Sequence, residues 1–263
     1  MPTIELGRLK QEAALLSQHF SDPPGYLREL ERLLEAYSMP VNRLGEVRGL
    51  RPVLKTYEVP TPLLRQLQLE MSQLAEEDPA TALQVADGLW ARRSIETRQL
   101  AARLLGATPA EAHEVTARLA AWAEENQEPW LAPELAQAGT QGLQKQHAEA
   151  LITWAGQLLA GGHSRQQSLA LAALQHLLQG PGYANLPAIY TLLEAPVRSA
   201  DRKIRPDLAD LLSELGRQSP KETEYFLQQA LQQPDLDPGC RWIARQVYKV
   251  LPAVSQARLR PLL

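Results

Sequence analysis

Twenty prolines are spread through a chain otherwise dominated by Leu, Ala, Gln, Glu and Arg, all good helix formers. A proline inside a helix removes a backbone donor and clashes with the preceding turn, so no long helix runs through such a pattern. Between the prolines, apolar residues recur at helical spacing. Leu151, Ile152, Ala155, Leu158 and Leu159 occupy i, i+1, i+4, i+7 and i+8. The same template returns at Ala170, Leu171, Leu174, Leu177 and Leu178, again at Ile243, Ala244, Val247, Val250 and Leu251, and more loosely at Leu208, Leu211, Leu212 and Leu215. Leu63, Leu67, Met71 and Leu74 line one face of a helix opened by Thr61-Pro62. No segment alternates with period two, and only 5% of the residues are aromatic, which argues against a sandwich or barrel.

The boundaries are marked by side chains suited to capping. Asp78-Pro79, Thr108-Pro109 and Ser219-Pro220 each set a capping residue before a proline, and Thr108-Pro-Ala-Glu111 has the spacing of a capping box. Gly106, Gly161-Gly162, Gly180-Pro-Gly182 and Gly216 follow apolar runs, where helix C-caps fall. A dozen or so short, one-faced helices joined by tight turns predict an all-α fold, an α–α superhelix (solenoid) of HEAT-like helical repeats with a concave face. The 263 residues read as a single domain, with residues 1–45 as an N-terminal cap and the irregular stretch 39–60 as a linker or loop before the array.

Charge and cysteine content narrow the function. The 27 basic and 30 acidic side chains give a net charge of −3, so any polyanion site must be a local face. Residues 106–195 carry three basic and eight acidic side chains, whereas residues 196–263 carry eleven and eight. The single Cys240 precludes an internal disulfide and a multi-Cys zinc site, and the five histidines are scattered without i, i+4 pairs. No metal and no cofactor is expected. No apolar run approaches the ~20 residues of a membrane span. The segment Met1–Leu16, with Glu5, Arg8, Lys10 and Glu12, is unlike a signal or transit peptide, so a cytoplasmic protein is the default. Nucleotide-binding glycine loops and hydrolase elbows are absent from the sequence.

Several segments together resemble one family. Tyr57-Glu-Val-Pro-Thr-Pro-Leu-Leu-Arg65, the Leu89-Trp90 pair followed by Ser94-Ile-Glu96-Thr-Arg98, and the spaced Trp122, Trp130 and Trp154 are similar to the AlkC/AlkD-type DNA alkylation repair proteins. Ser219-Pro-Lys-Glu-Thr-Glu-Tyr-Phe226 and Cys240-Arg241 through Leu251 resemble that family's last two helices. The resemblance covers roughly residues 50–252. It implies a helical superhelix that takes up duplex DNA and, in active members, hydrolyses the glycosidic bond of N3- or N7-alkylated purines. Such a base is a cationic leaving group and needs no general acid. The site must supply a carboxylate for the developing oxocarbenium ion and an aromatic face for the base.

The family's Trp-x-x-x-Asp pair corresponds here to Trp130-Leu-Ala-Pro-Glu134, so Trp130 and Glu134 are the candidate catalytic residues, with Glu in place of Asp. The bland alternative is an ordinary i, i+4 pair at a helix entrance, Trp130 half-buried after Pro129. The family's arginine on the helix after Trp154 aligns with Gln167 and leaves Arg165 two positions away, while its second aromatic platform aligns with Asp210. Phosphate contacts are assigned to Arg165, to Arg202, Lys203 and Arg205 around an interhelical turn with Arg198, and to the stripe Arg241, Arg245 and Lys249. A solvated face with local ion pairs is the competing explanation of these charges. Arg92-Arg93, Arg98 and Arg103 either extend the same surface or cap a helix. Trp90, Trp122 and Trp154 are expected in the core, and Cys240 as a structural thiol. Three readings stand: an alkylpurine DNA glycosylase-like enzyme, a non-catalytic binder of DNA structures, and a scaffold for a protein partner.

Overall fold

The computed structural model describes residues 6–38, 53–128, 130–180, 183–199, 201–234 and 236–263. Residues 39–52, most of the irregular stretch, lie outside them, as do residues 1–5 of the expected cap, Pro129 and the Pro181-Gly182 pair. The described residues form fifteen α-helices and no strand, an all-α helical repeat fold. They divide into two compact units, residues up to Gln146 and residues from His147.

In the first unit the helices are α1 (Leu6–Ser17), α2 (Pro23–Ala36), α3 (Thr61–Glu77), α4 (Pro79–Ala91), α5 (Ile95–Ala107), α6 (Ala112–Glu125), α7 (Leu131–Gly139) and the short α8 (Gln141–Gln146). They stack in layers: α1 on α3, α3 on α5 and α5 on α7, with α2 on α4 behind. Apolar spacing dictates this. On α3, Leu63, Leu67, Met71 and Ala75 stand at four-residue intervals and are all buried. Each such leucine contributes on the order of 2 kcal/mol by leaving water. Leu74, expected on this face, is only half-buried, and Pro62 is the second helical residue behind Pro60 at the N-cap.

The second unit contains α9 (Ala148–Gly161), α10 (Ser164–Gln179), α11 (Leu186–Ser199), α12 (Arg205–Gln218), α13 (Pro220–Leu231), α14 (Pro238–Tyr248) and α15 (Ala253–Leu259). One layer runs α10, α12, α14; the other runs α9, α11, α13, α15. Three apolar templates of this half fall on α9, α10 and α12, and the first three positions of the fourth fall on α14, with Leu151, Leu174, Leu212 and Ile243 fully buried; Val250 and Leu251 lie in the turn after α14, where Val250 is only half-buried.

Capping followed the sequence in part. The Asp78 carboxylate accepts the Thr81 amide at 3.1 Å and opens α4. Ser219 is the N-cap of α13 but its hydroxyl makes no cap bond, and Thr108 does not open a helix at all. Thr108 closes α5, its hydroxyl donating to the Leu104 carbonyl oxygen at 2.7 Å, and α6 starts only after Glu111. Among the described residues, a capping box is formed by Ser94 with Thr97 at the start of α5, and at the start of α10 the Gln166 side chain accepts the His163 backbone N–H at 3.1 Å. Gly106 and Gly216 lie inside helices, not beyond them. Gly106 is required by a close approach: a Cβ there would sit 1.8 Å from the Ala138 carbonyl oxygen of α7.

Among the described residues, no helix is long and apolar enough to cross a membrane, and no three His, Cys, Asp or Glu side chains are grouped to hold a metal ion.

Candidate functional site

The site of the first unit rests on a stack of flat groups. The Trp90 and Trp122 rings lie parallel, centroids 4.8 Å apart, and the Arg98 guanidinium covers the other side of the Trp90 ring at 4.1 Å. The Trp90 indole N–H donates to Glu125 at 3.0 Å. Trp90, Trp122 and Arg98 are all buried, as expected of the two tryptophans and unlike the surface or capping role expected of Arg98. Burial, with the Arg93 charge nearby, lowers the pKa of Arg98 below its ordinary value, opposed by the attraction of Glu125 and Glu128.

Glu96, two residues before Arg98, turns the other way. One of its oxygens accepts the backbone N–H of Tyr57 at 2.9 Å and of Glu58 at 2.7 Å, with the Thr56 hydroxyl at 2.9 Å. Residues 56–58 before α3 are thereby fixed to the start of α5, helped by the Ile95 amide donating to the Lys55 carbonyl oxygen at 2.9 Å.

The α6–α7 junction presents the candidate pair. Trp130 occupies the N-cap of α7 and is 45% exposed, while Trp90, Trp122 and Trp154 are buried. Glu134 follows one turn later, on the side facing α5. There Gln99 Nε2 donates to one Glu134 oxygen at 2.7 Å, and Arg103 Nη2 lies 3.6 Å from the other. Gln99 and Arg103 are themselves one turn apart on α5. The result is an outward-facing indole and, one turn on, a carboxylate steadied by an amide and a guanidinium. Arg103 therefore joins the site, and Gln99, unforeseen in the sequence, is its closest partner.

In the second unit the assigned basic residues lie on the α10–α12–α14 layer and its turns. Arg165 is exposed in the first turn of α10. Gln167, aligned with the family's arginine, donates instead to the Leu159 carbonyl oxygen at 3.1 Å. Arg202 and Lys203 are exposed in the turn before α12, and Arg205 is 3.9 Å from Asp237. Arg241 and Arg245 share the exposed face of α14; Lys249 caps it. Arg245 donates to the Leu263 carbonyl oxygen at 2.6 Å and Lys249 to Gln246 at 2.7 Å, and all three residues of the stripe are exposed. Beside Arg241 stands Trp242, 39% exposed, an aromatic that the sequence reading passed over. Asp207 of α12 accepts the Ser168 hydroxyl at 2.5 Å; burial raises its carboxyl pKa above the ordinary value, reinforced by Asp210 and opposed by Ser168. Asp210 is exposed. Cys240 is buried in α14 and its thiol pKa is raised by burial, in keeping with a structural role. On the other layer, a cleft of about 610 Å³ between α11 and α13 is walled by Tyr190, Tyr225, Phe226, Arg198 and Lys221.

The profile of the family described as DNA alkylation repair enzyme matches residues 30–241. No curated protein and no solved structure matches the chain. With most of its length inside that match, the chain belongs to the DNA alkylation repair enzyme family.

Proposed function

We propose that the chain binds duplex DNA and removes cationic N3- or N7-alkylated purines by hydrolysis of the glycosidic bond. The observation that carries this reading is Trp130, a large aromatic face held out in solvent with the Glu134 carboxylate one helical turn away. Stacking on Trp130 suits a cationic purine, whose charge interacts favourably with the ring face. As the bond from C1′ to the base breaks, its electron pair leaves with the purine and cancels the positive charge. Glu134 stabilises the oxocarbenium ion left behind and orients the water that adds to C1′. Arg165, Arg202, Lys203, Arg205, Arg241, Arg245 and Lys249 serve as phosphate contacts, and the exposed Trp242 adds a stacking face beside Arg241.

A second reading has its own support. Both Glu134 oxygens are already engaged, by Gln99 and Arg103, and Gln167 stands where the family carries an arginine. That arrangement favours a HEAT-like repeat protein that binds DNA structures, or a protein partner, without catalysis. One experiment separates the two. Purified protein is incubated with methylated duplex DNA, and free 7-methylguanine and 3-methyladenine are quantified beside duplex affinity at several salt concentrations. Excision predicts base release that Glu134→Gln abolishes. Salt-dependent binding with no free base over hours selects the non-catalytic DNA binder; absence of salt-dependent binding leaves the protein scaffold.

A further inference from the structure

We propose that Glu128 is a positioning residue that fixes the ring orientation of Trp130. The inference rests on reading Trp130 as a base-stacking face, but its first test does not. The Trp130 indole is 45% exposed, yet its N–H donates to Glu128 Oε2 at 3.1 Å. Glu128 is no surface side chain that happens to lie near: it is 5% exposed. A buried carboxylate is tolerated only when its lone pairs are satisfied. Here Oε1 accepts the backbone N–H groups of Val53 and of Leu54, the latter at 3.0 Å, which leaves Oε2 for the indole.

The Glu128 backbone is held as well. Asn126, 6% exposed, accepts the Glu128 N–H at 3.0 Å and donates to the Glu128 carbonyl oxygen at 2.8 Å. The carboxylate thus has a fixed origin and a fixed direction, and the ring inherits both. An immobilised aromatic gives up less rotamer freedom when a base stacks on it. Trp130 is therefore set in place before any ligand arrives, by a carboxylate anchored to residues more than 70 positions earlier in the chain.

Glu128→Gln isolates the effect. Its one remaining carbonyl oxygen is needed by the two backbone donors, so the amide NH₂ faces the indole N–H and the ring is released. With the Trp130 indole resonance assigned from its absence in Trp130→Phe, Glu128→Gln is expected to move that signal alone. Its solvent exchange should quicken by roughly tenfold, the loss of one hydrogen bond to a charged group. Affinity for methylated duplex DNA should fall by roughly three- to tenfold, with no further fall when Glu128→Gln is added to Trp130→Phe. Trp130→Phe, at an exposed position, folds whatever Glu128→Gln does; it keeps an aromatic face, loses the tether and should show a comparable loss. An indole signal unmoved by Glu128→Gln overturns the proposal, as does a released ring with undiminished affinity. If the wild-type protein binds no DNA, the functional reading fails by itself, and the indole signal alone decides whether Glu128 orients the ring.

Discussion

Replacing Gly106 by alanine probes the contact that brings Glu134 to its partners. A Cβ at this position falls 1.8 Å from the Ala138 carbonyl oxygen and 2.9 Å from its carbon. Unstrained contacts lie near 3.5 Å, so α7 must retreat by about 1.5 Å. The obstacle is backbone, which cannot rotate aside as the tip of a side chain would. Alanine in place of glycine improves helix propensity by about 1 kcal/mol, while overpacking of this kind costs roughly 1–3 kcal/mol or more. A backbone obstacle at 1.8 Å places the cost at the upper end of that range, about 3 kcal/mol, so a net loss of about 2 kcal/mol is expected, a melting temperature lower by roughly 4–8 °C.

The displacement also reaches the site. The Gln99–Glu134 hydrogen bond is 2.7 Å long, and a shift of about 1.5 Å carries it past bonding distance. Thermal and urea unfolding give the stability change, and amide chemical shifts along α7 report the movement. Gly7→Ala serves as the control, because a Cβ there meets nothing within 4 Å and the substitution should stabilise α1 slightly. If Gly106→Ala behaves like Gly7→Ala and leaves the α7 shifts unchanged, the backbone approach of α5 to α7 is wrong, and with it the pairing of Glu134.

The salt dependence of duplex binding is expected to weaken in Arg241→Ala, with the slope of log affinity against log salt reduced by about one; an unchanged slope removes Arg241 from the phosphate contacts. Asp207→Asn tests the buried carboxyl of α12. Because the folded state raises the Asp207 pKa, the wild type loses stability as pH climbs from the ordinary aspartate value through the raised one, and the asparagine variant does not. The melting-temperature advantage of Asp207→Asn should therefore grow across that window and level off above it, and a difference independent of pH contradicts the assignment.

The helical layers were legible because a one-faced stripe of leucines has few ways to be buried. The stripes of α9, α10, α12 and α14 could be read directly from four-residue spacing. Helix ends were less legible for a physical reason. A threonine hydroxyl satisfies an amide ahead of it or a carbonyl four residues behind, and Thr108 takes the second option because α5 continues through Gly106 to Ala107. Gly106 resembled a terminator, yet its lack of a side chain serves helix approach. Trp130 and Glu134 could be placed at the N-cap and in the first turn of one helix from their four-residue spacing. Their partners were not: Gln99 is 35 residues from Glu134, and Glu128 meets backbone donors 74 and 75 residues away. Such pairings are set by which helices pack together, which no local spacing encodes.

The same geometry changes the meaning of the charge distribution. Residues 106–195 carry eight acids against three bases, a balance of the wrong sign for holding phosphates. Three of those acids, however, are occupied within the first unit. Glu125 accepts a hydrogen bond from the Trp90 indole N–H, Glu128 accepts from two backbone amides and the Trp130 indole N–H, and Glu134 accepts from Gln99 and lies beside Arg103. Glu125 and Glu128 also attract the Arg98 charge, opposing without cancelling the lowering of its pKa by burial and by Arg93. Arg98 and Arg103 belong to α5, outside the segment over which the acids were counted, so the tally overstates the local negative field. An acid compensated by a neighbouring guanidinium repels an approaching polyanion far less than an isolated one, since the pair's field falls off faster than that of a single charge. The acidic stretch is better understood as a framework in which two indoles are tethered and the Glu134 carboxylate is itself held by α5. Under the proposed function, attraction for phosphate is then left to the more basic residues 196–263, where Arg241 and Trp242 are both exposed.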